Sequence, residues 1–85
     1  MRPLNKEIEK KFNEAVKLRT DGKYQKSIKI LLKLLKDDPD NYFLLNNLAI
    51  TYQHNNQFFL AENYFNKSIK KNTKFVDAYI NLSKL

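Results

Sequence analysis

The sequence predicts an all-α chain, about five helices stacked as antiparallel hairpins, on three observations. Apolar residues recur at a helical period of about 3.6 residues. The pattern repeats after 34 residues. One Gly and two Pro leave little material for the turns of an all-β fold.

The period shows in paired positions: Ala15 with Ala49, Leu18 with Tyr52, Tyr24 with Phe58, Ser27 with Ala61, Leu31 with Phe65 and Leu35 with Ile69. A second step carries Leu45 to Tyr79, Leu48 to Leu82 and Ala49 to Ser83. The first helix is expected over 6–20, with Phe12, Ala15 and Leu18 on one face and Gly22 as the left-handed residue just past its end. The second, 24–37, carries Tyr24, Ser27, Ile28, Leu31, Leu34 and Leu35 and stops ahead of Pro39, which turns the preceding residue away from the α region. Asp40 or Asn41 caps the third, 42–55, whose stripe is Leu44, Leu45, Leu48, Ala49 and Tyr52. Asn56 then takes the place of Gly22, and the fourth helix, 58–71, presents Phe58, Ala61, Phe65 and Ile69. A fifth runs over 76–84. Small residues at Ala15, Ala49, Ser83, Ser27 and Ala61 suit close helix crossings. Tyr24, Tyr52, Phe58, Phe65 and Tyr79 are expected to pack in the core.

The counts bound the function. A chain of 85 residues makes one small domain, and it has no Cys for a disulfide or thiolate zinc site. No apolar run exceeds four residues, as at Tyr42 to Leu45, so no membrane span is expected. The start, MRPLNKEIEKKF, lacks the apolar core of a secretory signal, and a cytoplasmic protein is the simplest reading. With 16 basic and 9 acidic residues the formal charge is +7.

A helix-turn-helix unit of 34 residues with these matches resembles the tetratricopeptide repeat (TPR) family. The resemblance covers 8–85: a lead-in at 1–7, one repeat at 8–41, a second at 42–75, and at 76–85 the first helix of a third repeat or a capping helix. The family's small residue falls on Ala15, Ala49 and Ser83, and its later series on Gly22, Tyr24, Ser27 and Leu31, then Asn56, Phe58, Ala61 and Phe65. Lys11 and Glu14 depart from the family's large apolar residues, which suits a first helix whose outer side meets water. The resemblance implies a right-handed α-solenoid and a non-catalytic module that binds a protein or peptide in a concave groove. The alternative it leaves open is the N-terminal part of a longer protein, as in TPR-headed glycosyl- or sulfotransferases.

By repeat position the groove would carry Phe12, Asn13, Val16, Phe43, Asn47, Ile50, His54, Ile80 and Asn81. Asn13, Asn47 and Asn81 stand 34 apart and look like the asparagine ladder of O-GlcNAc transferases, whose amides hold a peptide backbone. The other known TPR groove chemistry, a clamp for the chaperone Glu-Glu-Val-Asp tail, is excluded, because Phe12, Val16, Asp77 and Asn81 stand where it needs Lys, Asn, Lys and Arg.

Lys26, Lys29, Lys33 and Lys36 form a basic stripe on the second helix, and Lys67, Lys70, Lys71 and Lys74 repeat the theme on the fourth. Such stripes can track phosphates or an anionic surface. No Gly-rich loop, aromatic RNA-binding motif or recognition helix accompanies them, which argues against nucleic acid and for a solvated outer face. His54 is the single histidine, and Asp37, Asp38 and Asp40 lack calcium-loop spacing, so neither a catalytic triad nor a metal site is expected, and no cofactor. The last helix has no following partner for its apolar stripe, so self-association through it is a further expectation.

Overall fold

Asn5 opens the first helix by accepting a hydrogen bond from the Ile8 N–H at 2.8 Å, which satisfies one of the four amides a helix start leaves bare. The computed structural model describes residues 5–85, in five helices: α1 (Lys6–Thr20), α2 (Tyr24–Asp37), α3 (Tyr42–His54), α4 (Phe58–Lys71) and α5 (Val76–Ser83). Each falls within a residue or two of its expected span. No strand occurs among the described residues.

The two tight turns close alike. Beyond α1, Gly22 adopts φ +79° and donates to the Arg19 carbonyl, while Lys23 N–H reaches back to Leu18 at 2.8 Å. Beyond α3, Asn56 adopts φ +61° and donates to Gln53, while Gln57 N–H reaches Tyr52 at 2.8 Å. Both are Schellman closures, which consume the last carbonyls and fold the chain back at once. The α2–α3 turn works differently. Asn41 is fully buried, accepts from the Leu44 N–H at 3.1 Å and donates to the Asp38 carboxylate at 3.1 Å, so Asn41 and not Asp40 caps α3.

Consecutive helices pack on one another, α1 on α2, α2 on α3, α3 on α4 and α4 on α5, with α5 also touching α3. Packing chiefly between consecutive helices is the all-α hairpin stack that the period predicts. Five helices do not yet make an elongated rod: the radius of gyration is 11.8 Å, close to the ~12 Å of a globule this long. The core is Ile28, Leu31 and Leu35 of α2, Leu44, Leu45, Leu48, Ala49 and Tyr52 of α3, and Ala61 and Phe65 of α4, with Ala15 of α1. Ala15, Ala49 and Ala61 are fully buried where helices cross. Two hydroxyls join helices within hairpins: Ser27 Oγ donates to the Ala15 carbonyl and Ser68 Oγ to the Tyr42 carbonyl, both at 2.7 Å.

Three expectations fail at the C-terminal end. Phe58 is 53% exposed, Tyr79 is 46% exposed, and Ser83 is exposed, its hydroxyl donating to Ile80 of its own helix. The cause is positional. Tyr24, the counterpart of Phe58, stacks on the His54 ring at 6.3 Å, whereas Phe58 meets no ring among the described residues. Likewise Leu45, the counterpart of Tyr79, lies in the hairpin that α4 closes, whereas among the described residues no second helix closes on α5.

The turns yield one test. No atom lies within 4 Å of a Cβ placed on Gly22, so Gly22→Ala costs only the backbone strain of a left-handed L-residue, about 1–2 kcal/mol. Asn56→Gly, which relieves that strain, raises the midpoint of urea unfolding. A second test concerns Tyr52, whose phenol is pushed above its ordinary 10.0 by burial and then by the neighbouring Tyr64. The folded state therefore holds this proton more tightly than the unfolded chain, and the stabilisation is lost as pH rises through the folded value. Above about pH 10 the stability of the parent protein falls more steeply with pH than that of Tyr52→Phe, measured by urea unfolding.

Candidate functional site

α1, α3 and α5 bring one face each to a common side, and α3 lies between the other two. Its sequence YFLLNNLAITYQH is apolar nearly all round, the pattern of a helix covered on both flanks. Asn46, Asn47 and Thr51 are therefore buried with it and have to find partners. Thr51 Oγ1 donates to the Asn47 carbonyl at 2.9 Å, a helical back-bond. Asn47 Nδ2 donates to the Phe43 carbonyl at 2.9 Å. Asn46 Oδ1 accepts from Asn81 Nδ2 of α5 at 3.2 Å.

Two further contacts tie α1 to α3. The Phe12 and Phe43 rings meet with centroids 5.0 Å apart at 45°. Arg19 Nη1 donates to the Asn47 carbonyl and to Thr51 Oγ1, each at 3.2 Å. Burial lowers the Arg19 pKa from its ordinary value, because the guanidinium loses water and gains only neutral oxygens. Among the described residues it has no carboxylate partner.

Between α3 and α5 lies a depression of about 230 Å³ lined by Phe43, Asn46, Asn47, Ile50, Asp77, Ile80 and Asn81. It gathers Phe43, Asn47, Ile50, Ile80 and Asn81 from the residues expected in the groove. Phe12, Asn13 and Val16 lie on α1 outside its lining, where Phe12 adjoins it only through the Phe43 ring, with Asn13 exposed and the other two half-buried. His54 is exposed at the end of α3 and faces Tyr24.

The three asparagines of the 34-residue series thus sit in unequal surroundings, and the sequence explains why. Asn81 finds an amide at Asn46, whereas the counterpart of Asn46 one period earlier is Phe12, which cannot accept a hydrogen bond. Asn47 turns back to its own helix instead. The roles of Asn46 and Thr51 as internal partners escape a search at 34, because the contact from Asn81 to Asn46 spans 35 residues. Asn47 Oδ1, Asn81 Oδ1 and Asn46 Nδ2 hydrogen-bond to no other described residue and are not sealed from solvent.

Lys26, Lys29, Lys33 and Lys36 are all exposed on α2, away from this depression. Among the described residues no group of three or more His, Asp or Glu could hold a metal ion. No described helix is long and apolar enough to cross a membrane.

Residues 30–63 match a family model, that of the tetratricopeptide repeat. The match begins within α2 and ends within α4, so it takes in Pro39, all of α3 and the left-handed Asn56. No curated protein matches the chain.

The Asn46–Asn81 contact carries a prediction. Asn81→Ala leaves Asn46, 4% exposed, without its partner, at about 1 kcal/mol. Because that contact pins α5 to α3, α5 amides then exchange with deuterium roughly five times faster while α1 amides keep their rates.

Proposed function

We propose, from the match of residues 30–63 to the tetratricopeptide repeat model, that the chain is a non-catalytic module that holds an extended peptide of a protein partner along the α1, α3 and α5 face. The observation that carries this reading is the row of amides beside apolar ground. Asn47 and Asn81 each keep an unengaged oxygen at the depression, Asn13 is exposed one period earlier, and Phe43, Ile50 and Ile80 lie alongside. A peptide backbone offers an N–H and a C=O at every residue, so amides spaced by a constant step can pair with it without reading its side chains. The apolar neighbours then accept alternate side chains.

Size and charge narrow the ligand. A depression of about 230 Å³ is below the ~300–1,000 Å³ of small-molecule pockets and suits a strand laid across it better than a substrate enclosed within it. Asp77 lines it, so a ligand with carboxylates at that point is repelled. The repeat division follows the same reading: 8–41 and 42–75 are the two complete units, 76–85 is the first helix of a third, and all three contribute to the amide row.

The test is peptide display against the folded chain, followed by affinity measurement on the captured sequences. Asn47→Ala combined with Asn81→Ala weakens capture by roughly tenfold or more, and amide shifts on binding centre on Phe43, Ile50 and Ile80. Capture unchanged by the double substitution sinks the amide row.

A further inference from the structure

A second, open crevice of about 990 Å³ lies along the first hairpin, between α1 and α2. Its floor is Ile8, Leu18, Ile30 and Leu34, all half-buried. One period on, the places of Lys11, Glu14 and Lys26 on its rim are held by Leu45, Leu48 and Leu60, in the hairpin against whose first helix α2 packs. The crevice is therefore shaped like an internal seat for a helix but rimmed with charge. The two rims differ. On α1, Lys11 and Glu14 pair with each other at 3.7 Å. On α2, Lys26, Lys29 and Lys33 stand on consecutive turns ahead of Asp37, and none of the three is in an ion pair among the described residues, while α1 adds a further carboxylate, Glu7.

We propose that this crevice docks an amphipathic helix of a partner protein, its apolar stripe on Ile8, Leu18, Ile30 and Leu34 and a flank of carboxylates along Lys26, Lys29 and Lys33. Lysines spaced 3 and 4 apart present charge every turn, which matches glutamates or aspartates at the same spacing on an antiparallel or parallel helix. The floor supplies the apolar burial, and the lysine row fixes which flank of the guest faces α2. A second copy of this chain is a poor guest. The outer face of its helix α5 offers a single carboxylate, Asp77, and each copy carries +7.

A synthetic peptide of about four helical turns tests this, with leucines on one stripe and glutamates only along one flank. Titrated into the full chain, it shifts the amides of Ile8, Leu18, Ile30 and Leu34 and leaves those of Ile50 and Ile80 unmoved, which separates this site from the amide row. Lys26→Glu, Lys29→Glu and Lys33→Glu together, all at exposed positions, weaken binding by tenfold or more, and a lysine-flanked version of the peptide restores it. Equal binding by a scrambled peptide of the same composition, by polyglutamate or by an oligonucleotide overturns the proposal in favour of bare charge attraction. Crevice shifts that track protein concentration, with a dimer mass by light scattering, overturn it in favour of a second copy. Crevice shifts that appear on deleting residues 1–4, with no response to the peptide, make the occupant the chain's own leading residues and overturn it as well.

Discussion

The burial of α3 between α2 and α4 is the constraint on which the other features depend. A helix covered on both flanks has to be apolar almost all round, and Leu44, Leu45, Leu48, Ala49 and Tyr52 provide that. The same cover buries Asn46, Asn47 and Thr51, and every buried polar side chain has to be satisfied or it costs more than it contributes. Satisfaction comes from three directions: back-bonds within α3, the Arg19 guanidinium from α1, and the Asn81 amide from α5. The residues that join successive units are thus the residues that build the candidate groove. Stability and the proposed recognition share these side chains.

This sharing sets the groove's chemistry. Arg19 brings a cation to α3 but spends it on neutral oxygens, so what it contributes is a bridge between helices. The amides of Asn47 and Asn81 each use a donor internally and retain an acceptor toward solvent. The outer crevice of α1 and α2 is built on the opposite logic. There the apolar floor is modest and the polar groups are lysines, which keep their water until something charged displaces it. A single hairpin stack therefore presents two faces that differ in kind, one with fixed neutral amides and one with mobile positive charge.

Much of this was legible before any coordinates. Helix spans, the left-handed Gly22 and Asn56, and the crossing alanines depend on local chemistry: spacing on a cylinder, steric freedom at φ above zero, and side-chain size. Five of the expected groove residues meet at one depression because the period carries equivalent positions to the same face. The exposure of Phe58, Tyr79 and Ser83 was not legible from pattern matching, because a repeat position is buried only when the neighbouring unit is there to cover it. The Asn81 to Asn46 contact was missed for a related reason: it crosses between units with a one-residue stagger that a fixed offset of 34 does not sample.

The sequence alone determined that this protein is a stack of helical hairpins, where each helix begins and ends to within a residue, and which alanines sit at crossings. Those properties follow from interactions within a few residues or from a constant step along the chain. Only the tertiary structure decided which of the equivalent asparagines is buried, exposed or paired, and that Asn41 rather than Asp40 caps α3. It also decided that the rim lysines of α2 border an apolar crevice. Equivalent positions in a repeat share a place on their helix but not their neighbours, and the neighbours set each side chain's burial and partners.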